Sequence, residues 1–154
     1  MKIEKYAYVI RKGGVKIIYH LNDTDYILGF WFAGDMFSSL VSFLEQLPSE
    51  VSAVAIAETE VERVDYLQIQ KYYSQYHVVS EVGRKIIEYM FIYKAKKELE
   101  IISKTAEERY QDLIDQSGHL ILDLPVKEIA SYLGIHPERL SRIRRRLRKP
   151  VLQK

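Results

Sequence analysis

The sequence predicts an α+β protein with a β-rich amino-terminal part and a helical carboxyl-terminal part. Short β-rich runs separated by turns occupy roughly the first 65 residues. From about Ser80 the apolar residues recur with the period of a helix. Near the end of the chain, two short helical patterns meet at Gly134, and the second is rich in arginine. We therefore expect a β-domain at 1–79, a connecting helix at 80–103 and a helical domain at 104–154.

The composition excludes several classes of protein. Apolar residues make up 47% of the 154 residues and charged residues 29%, which is typical of a soluble globular protein. The absence of cysteine excludes disulfides, thiolate metal sites and iron–sulfur clusters held by cysteine, and it favours a reducing cytoplasm. No apolar run approaches the roughly 20 residues of a membrane helix, and residues 1–5 lack the apolar core of a signal peptide. We expect a cytoplasmic protein without a membrane partner.

The first part of the chain predicts short strands joined by turns. Residues 11–14 contain two glycines that permit the positive φ of a hairpin turn, and 21–25 predict a second turn. Gly34 breaks the third strand ahead of a short helix at 38–44. Turns at this spacing predict a sandwich or a barrel. The predicted strands are residues 6–10, 15–19, 26–32, 51–57 and 61–67.

The connecting helix is apolar on two sides. One side carries Val82, Ile86, Tyr89 and Tyr93, and the other carries Ile87, Phe91, Ala95 and Ile102. A helix with two apolar sides must be covered twice. One side can pack on the β-domain, and the other needs either the helical domain or the same helix of another subunit.

A capping box marks the next helix. Thr105 supplies the hydroxyl at the N-cap, and Glu108 supplies the carboxylate three residues later. The helix that they begin would end near residues 117–118 and be followed by a short strand at 119–122. Its inward residues would be Tyr110, Leu113 and Ile114.

The last two helical patterns have the arrangement of a helix-turn-helix. Ile129, Ala130 and Leu133 are spaced to face a core, Gly134 supplies the turn, and Pro137 suits the first position of the second helix. In that second helix, Leu140, Ile143 and Leu147 form one apolar stripe. About 180° away lie Glu138, Arg142, Arg145 and Lys149. One face would therefore be buried and the other left for the major groove of DNA.

The charge distribution supports a nucleic-acid partner. Residues 124–154 carry nine Lys/Arg and two Glu, whereas residues 1–123 carry 14 Lys/Arg and 19 Asp/Glu. Positive charge is thus collected where phosphates would be met. A solvated basic tail or a membrane-surface helix would also be basic, but neither explains the turn glycine and the apolar stripe. For the second side of the connecting helix we favour another subunit, because a two-fold dimer would place two recognition helices about one DNA turn apart.

A β-domain, a long helix and a helix-turn-helix, in that order, resemble the Crp/Fnr family of bacterial transcription regulators. The resemblance extends over nearly the whole chain. Residues 8–15 resemble a strand-and-glycine passage of that family's cyclic-nucleotide-binding-type β-roll, and residues 32–37 resemble the Gly-Asp segment before its ligand cassette. The most specific matches are residues 105–110, 129–135 and 140–143. The resemblance implies double-stranded DNA, a second copy of the chain and RNA polymerase as partners.

The resemblance also implies how the second helix would meet DNA. The family's recognition helix has a Glu and a following Arg on its groove face, and Glu138 and Arg142 match them. Arginine can donate two hydrogen bonds to guanine, and glutamate can accept one from cytosine. The expected base contacts are Glu138, Ser141, Arg142 and Arg145. The expected phosphate contacts are Arg139, Arg144, Arg146, Arg148 and Lys149, and the expected dimer contacts are Val82, Ile86, Tyr89 and Tyr93.

The ligand cassette departs from the family pattern. Nucleotide-binding members use Gly-Glu-Leu and Arg-Ser/Thr-Ala, whereas Ser39 takes the acid position here and no arginine lies between Arg11 and Arg63. An anionic phosphate without a cation is costly to bury, and Glu50 would repel it. We predict that cyclic AMP does not bind there, and we expect no cofactor or metal. The degenerate cassette would comprise Gly34, Asp35, Ser38, Ser39 and Ser52.

Several alternatives are weaker. Haem ligation by His20 or His77 is disfavoured, because a lone histidine is usually a surface or hydrogen-bonded residue. An enzyme is disfavoured, because the sequence has no phosphate loop, HExxH motif or nucleophile elbow. Relative to the family, the β-roll begins late and little sequence remains for a wing after the recognition helix. A β-domain sensor that pairs with other proteins and binds nucleic acid only loosely is therefore the main alternative function.

Overall fold

Six β-strands and six α-helices follow one another in the computed structural model, which describes residues 2–147 (only the backbone at 118 and 119). The strands are β1 (Tyr6–Lys12), β2 (Gly14–Leu21), β3 (Thr24–Phe32), β4 (Met36–Phe37), β5 (Val51–Ala55) and β6 (Glu60–Asp65). The helices are α1 (Leu40–Glu45), α2 (Tyr66–Gln75), α3 (His77–Ser103), α4 (Ala106–Ser117), α5 (Val126–Leu133) and α6 (Pro137–Leu147), with a 3₁₀ turn at Gly118–Ile121.

The strands form two antiparallel three-stranded sheets. Their orders are β4-β1-β6 and β3-β2-β5. Ile10 and Phe37 from the first sheet are buried together with Val15 and Ile17 from the second. Apolar side chains therefore hold the two sheets face to face, as the spacing of strands and turns predicts.

The predicted hairpin between β1 and β2 is wrong. β1 pairs with β4 and β6, and β2 pairs with β3 and β5, so the glycines carry the chain from one sheet to the other. Gly13 has a φ of +81°, and a Cβ there would lie 2.4 Å from the carbonyl oxygen of Glu58. Both the positive φ and the close approach to Glu58 require glycine at position 13. Gly13 therefore turns the chain from one sheet to the other and does not close a hairpin.

The second predicted turn is correct. Asn22 and Asp23 both have positive φ, as a two-residue hairpin turn requires, and Leu21 lies opposite Thr24 in the β2–β3 ladder. Asparagine and aspartate tolerate this conformation better than other non-glycine residues. Strand β3 begins at Thr24, two residues earlier than predicted, because the turn occupies only Asn22 and Asp23.

Helix α2 is absent from the sequence prediction, which continued the last strand through residue 67. β6 ends at Asp65, whose Oδ1 accepts hydrogen bonds from the backbone N–H groups of Leu67 (2.8 Å) and Gln68 (3.2 Å). This side chain caps the first turn of α2. None of the α2 residues is fully buried, although Tyr66, Ile69 and Tyr73 recur at helical spacing and could have indicated the helix.

Helix α3 is the predicted long helix, although it begins at His77 and not at Ser80. Gly83 is its one buried residue, and the side chain of Tyr73 from α2 lies where a Cβ would be. Large apolar residues on α3 remain exposed, among them Tyr89 (68%), Phe91 (74%) and Ile102 (86%). The described part of this chain therefore leaves most of the apolar surface of α3 uncovered.

The predicted capping box of α4 is present. The backbone N–H of Thr105 donates to Oε2 of Glu108 (2.7 Å), and the N–H of Glu108 donates to Oγ1 of Thr105 (3.2 Å). The strand expected at 119–122 is wrong, since Gly118–Ile121 is a 3₁₀ turn. Ile121 in that turn is fully buried, so its apolar character reflects packing and not strand pairing.

Replacing Glu108 by glutamine should remove a pH-dependent part of the stability. Hydrogen bonds from the backbone and hydroxyl of Thr105 lower the pKa of Glu108 below its ordinary value of 4.5. A carboxyl group whose pKa is lower in the folded than in the unfolded state stabilises the protein at pH values above its pKa in the unfolded state. This contribution is lost as the pH falls through its pKa in the folded state. Urea unfolding should therefore separate Glu108→Gln from the native protein more at pH 7 than at pH 3. Glu98→Gln, on exposed α3, is the control, and an equal difference at both pH values would contradict the assignment.

The edge of strand β3 is covered by helix α5. Oγ of Ser131 accepts a hydrogen bond from the backbone N–H of Ile27 (3.2 Å) and donates one to the carbonyl of Asp25 (3.4 Å). Both backbone groups lie on the side of β3 that has no strand partner. The hydroxyl thus satisfies an exposed sheet edge and joins the helical end of the chain to the β-sheet.

Further contacts extend this junction. Nζ of Lys16 in β2 lies 2.5 Å from Oε1 of Glu128 in α5, and both side chains are largely shielded from solvent. The ring of Tyr132 meets that of Phe30 edge-on, with 5.3 Å between centroids. The buried residues shared across the junction are Ile18, Ile27, Phe30, Phe32, Ala106, Tyr110, Leu113, Ile121, Ile129, Ala130, Leu133, Leu140 and Ile143. A continuous apolar core therefore runs from the second sheet into α4, α5 and α6.

Candidate nucleic-acid interface

The turn between α5 and α6 is built on a left-handed glycine. Gly134 has φ 66° and ψ 35°, and its N–H donates to the carbonyl of Ser131 (3.1 Å). The next N–H, of Ile135, donates to the carbonyl of Ala130 (3.0 Å). These bonds satisfy the last carbonyls of α5, and α6 begins at Pro137 as the sequence predicts. The two helices are thus joined by only three residues, 134–136.

Helix α6 has one buried side and one exposed side. Leu140 and Ile143 are buried, whereas Leu147, the expected end of the apolar stripe, is 43% exposed. The opposite side is solvent-exposed, as the helical period predicts. Its exposed residues are Glu138, Ser141, Arg142 and Arg145, which are the four expected base contacts.

The side chains on this exposed face are largely uncommitted. Within residues 2–147, neither Arg142 nor Arg145 has a salt-bridge or hydrogen-bond partner, and their guanidinium groups are open to an approaching acceptor. Glu138 is 4.0 Å from Nδ1 of His136. The hydroxyl of Ser141 donates to the carbonyl of Pro137 (3.1 Å), which leaves its oxygen able to accept.

The expected phosphate contacts differ in their surroundings. Nε of Arg144 donates to the hydroxyl of Tyr110 (2.9 Å), and this guanidinium also lies 5.7 Å from the centre of the Tyr110 ring. Arg146 is ion-paired with Glu107 of α4. Arg139 is exposed and has no ion-pair partner among the described residues. Arg148 and Lys149 lie outside the described residues.

Arginines line a shallow groove between α6 and the start of α4. The groove is bounded by Thr105, Glu107, His136, Arg139, Arg142, Arg145 and Arg146. Four guanidinium groups against one carboxylate make its surface strongly positive. Such a surface attracts a polyanion by general electrostatics, independently of any base-specific contact.

The four residues expected at a dimer interface lie in different surroundings. Val82 and Tyr89 are exposed, and Ile86 is half-buried. Tyr93 is 43% exposed, stacks against Tyr89 with 6.5 Å between ring centroids, and has Nζ of Lys97 5.5 Å from its ring centre. Val82 and Tyr89 are therefore the more accessible members of the set.

The polar side chains of the expected ligand cassette form hydrogen bonds with other groups of the chain. Oδ2 of Asp35 accepts from the N–H of Phe32 (2.8 Å), and the hydroxyl of Ser38 donates to the carbonyl of Tyr6 (2.9 Å). Ser39 pairs with Ser49 (2.8 Å between hydroxyl oxygens), and Ser52 lies 3.1 Å from Nε2 of His20. Gly34 adopts a φ of +96°. This set shows no arginine placed to meet a phosphate.

Isothermal titration with cyclic AMP should therefore give no saturable heat at concentrations up to about 1 mM. A dissociation constant of that size corresponds to a binding free energy of only roughly −4 kcal/mol. The missing arginine and the internal hydrogen bonds of the cassette hydroxyls are the physical reasons. A stoichiometric site with a micromolar dissociation constant would contradict this prediction. Cyclic GMP serves as a parallel ligand, because it carries the same cyclic phosphate on a different base.

Comparison with known proteins gives a match in fold and none in sequence. No family model and no curated protein matches the chain. FixK2 from Bradyrhizobium japonicum superposes with a TM-score of 0.69 at 24% identity, covering 93% of this chain and 74% of that one. A proposed Crp/Fnr-family transcriptional regulator from Eubacterium rectale gives 0.72 at 16% identity, covering 96% and 70%. A CRP-family transcriptional regulator from Thermus thermophilus gives 0.68 at 18% identity, covering 96% and 78%.

These similarities establish the fold. The chain has the fold of Crp/Fnr-type proteins, and the second and third of these matches are described as transcriptional regulators. Among residues 2–147, no helix is long and apolar enough to cross a membrane.

Proposed function

We propose that this protein is a sequence-specific DNA-binding transcription regulator of the Crp/Fnr type, acting in the cytoplasm as a homodimer. The observation that carries the proposal is the exposed face of α6, where two unpaired arginines, a glutamate and a serine lie opposite a buried apolar side. In this proposal α5 and α6 are the helix-turn-helix, and the chain divides into a β-roll at 1–79, a dimerisation helix at 80–103 and a DNA-binding domain at 104–154.

The α6 face would read bases in the major groove. Arg142 and Arg145 would donate to guanine edges, Glu138 would accept from cytosine, and Ser141 can do either. Direct readout needs side chains that are free before binding, because a committed side chain must first lose its own partner. Among the described residues of α6, Arg142 and Arg145 meet that condition and so does Arg139, whereas Arg144 and Arg146 already have partners on α4.

The phosphate contacts would come from other basic residues of this part of the sequence. Arg139, Arg146, Arg148 and Lys149 are our candidates. Arg146 would exchange its exposed ion pair with Glu107 for a phosphate at small cost, because surface ion pairs contribute little stability. We assign Arg144 a positioning role instead, since its bonds to the buried Tyr110 hold α6 against α4.

The homodimer would form along α3. Exposed tyrosine, phenylalanine and valine side chains on a 27-residue helix are costly to leave in water. A second copy of the same helix offers a matching apolar surface, as a two-fold interface requires. It would also place two α6 helices on one side of the dimer, ready for a palindromic site.

Salt dependence gives the basic test of DNA binding. Four phosphate contacts in each subunit would make about eight in a dimer, so affinity for a 30-base-pair duplex of mixed sequence should fall roughly 10³- to 10⁵-fold between about 50 and 200 mM salt. Fluorescence polarisation of a labelled duplex measures this slope. A slope near zero would contradict DNA binding. A steep slope without any sequence preference would instead support the alternative, a β-domain sensor that binds nucleic acid loosely.

A further inference from the structure

A small cleft lies where the β-sheet, the long helix and the helical end of the chain meet. It is formed by β3, α3, α4 and α5, and it encloses about 180 Å³. We call it the junction cleft and define it by Leu28, Trp31, Tyr93, Lys97, Arg109 and Tyr132. None of the residues of the expected cyclic-nucleotide cassette lines it. Its volume suits a molecule with one aromatic ring.

The walls of the junction cleft are mainly aromatic. Trp31, Tyr93 and Tyr132 line it, together with the aliphatic side chain of Leu28. Gly29 lies beneath the indole, since a Cβ at that position would be 2.7 Å from Cη2 of Trp31. Glycine at this position therefore lets the indole lie across the strand. Flat apolar walls of this kind favour a planar ring, which can stack or meet them edge-on.

The charged groups that line the cleft balance one another, with Lys97 and Arg109 against Glu100 and Asp112. Nζ of Lys97 is 2.9 Å from Glu100, and Nζ of Lys104, just outside the cleft, is 2.7 Å from Asp112. Each of the two carboxylates therefore has a lysine partner, whereas Arg109 has no carboxylate partner among the described residues. Its Nη2 donates to the carbonyl of Leu133 (2.9 Å), so this guanidinium is held in place.

Arg109 also carries a buried donor that has no acceptor. Among the described residues, no hydrogen-bond partner contacts its Nε, and that atom is shielded from solvent. A buried unpaired donor on a charged group costs free energy that an acceptor would recover. A carboxylate is the natural acceptor for a guanidinium, because the interaction is charge-assisted.

The phenol of Tyr93 can act as a donor to the same ligand. Burial raises its pKa above the ordinary 10.0, and nearby Lys97 lowers it by less. The hydroxyl is therefore protonated throughout the physiological range. A neutral hydroxyl and a fixed guanidinium, next to aromatic walls, form a site with one apolar side and one anion-accepting side.

We propose that the junction cleft binds a small planar aromatic carboxylate, with the carboxylate accepting from Arg109 and the ring against Trp31. Arg109 also bonds the carbonyl of Leu133, the residue before the Gly134 turn, so occupancy would reach the start of α6. That regulatory consequence depends on the proposed DNA-binding function, whereas ligand binding itself does not.

Benzoate is the probe, and Trp31 is the reporter, because it is the only tryptophan in the chain. Titration of the full protein should change the Trp31 emission saturably, with a dissociation constant below about 1 mM. Arg109→Gln should weaken binding roughly tenfold to hundredfold, the range for a charge-assisted hydrogen bond. Lys94→Gln, on an exposed part of α3 outside the cleft, should leave the dissociation constant unchanged.

Benzyl alcohol provides the control that needs no variant. It has the ring and size of benzoate without the charge, so it should bind at least tenfold more weakly to the native protein. If Arg109→Gln does not fold, this comparison still tests the proposal. No saturable signal with benzoate, equal affinity for benzyl alcohol, or unchanged affinity in folded Arg109→Gln would each overturn it.

Failure of the ligand site and failure of the proposed function give different results. Emission changes with benzoate in a protein that shows no salt-sensitive DNA binding would support the site and remove its regulatory consequence. DNA binding without any benzoate signal would leave the regulator intact and overturn the site. A benzoate-dependent change in DNA affinity that disappears in Arg109→Gln would support both.

Discussion

Arg142→Ala should abolish most of the sequence preference of the protein while leaving its binding to mixed-sequence DNA nearly intact. A bidentate arginine contact to guanine contributes roughly 1–3 kcal/mol of discrimination, and a two-fold dimer loses it twice. Affinity for the preferred site should therefore fall between about 30-fold and about 10⁴-fold. Because Arg142 is exposed and has no hydrogen-bond or salt-bridge partner among residues 2–147, the fold should be unaffected. Fluorescence polarisation on preferred and scrambled duplexes measures both quantities.

Two matched variants separate base reading from simple charge. Arg142→Lys keeps the charge but loses the planar fork, so it should also lose the preference. Arg146→Ala removes an arginine from the same helix and should weaken binding to all sequences alike, with a smaller salt slope. Equal losses on preferred and scrambled DNA for Arg142→Ala would contradict the assignment of Arg142 to a base.

Tyr89→Glu should convert the dimer into monomers and reduce affinity for a palindromic site by at least about 100-fold. The side chain is 68% exposed in the single chain, so the substitution should not disturb the fold. In a two-fold dimer it would place two carboxylates in an apolar interface, where charge is costly. Loss of the dimer removes the roughly 10²- to 10⁴-fold gain from linking two half-site contacts.

Light scattering and DNA binding test this prediction together. The molar mass should fall from about twice 18.1 kDa to 18.1 kDa. Lys94→Glu, an exposed site on α3 that also gains a negative charge, should remain dimeric. A dimeric Tyr89→Glu with unchanged DNA affinity would contradict the assignment of this face to the dimer, and a native protein that is already monomeric would contradict the dimer itself.

Local signals in the sequence predicted the parts of the fold that depend on neighbouring residues. The tight turn at Asn22 and Asp23, the capping box at Thr105 and the glycine turn at Gly134 all involve groups within a few positions of one another. Such local signals could not predict the strand partners of β1. β1 pairs with β6, about 50 positions along the chain, and a glycine corner has the same local sequence as a hairpin turn. Helix α2 was missed because the strand pattern of β6 was continued into its first turn, although Tyr66, Ile69 and Tyr73 recur at helical spacing.

The candidate site also combines features that the local sequence predicts with features that depend on distant parts of the chain. The helical period predicted that Glu138, Arg142, Arg145 and Lys149 would share an exposed face, and the three of these that the structure describes do so, because a period of 3.6 determines faces within one helix. The partners of Arg144 and Arg146 lie on α4, more than 30 positions earlier, and depend on how the two helices cross. No local pattern contains that information. The junction cleft likewise draws on four separate elements, so it could be recognised only in the folded chain.

The measurement that tests the central claim most directly is selection from random duplex DNA by the purified protein at physiological salt, followed by sequencing. The proposed function predicts an enriched palindrome whose half-sites lie about one helical turn, roughly 10 base pairs, apart. Each half-site should contain a guanine whose replacement abolishes the advantage over random DNA. Salt-sensitive retention without any enriched sequence would contradict a sequence-specific regulator. The basic face of α6 would then be assigned to loose binding of nucleic acid, and the base contacts of Glu138, Arg142 and Arg145 would be withdrawn.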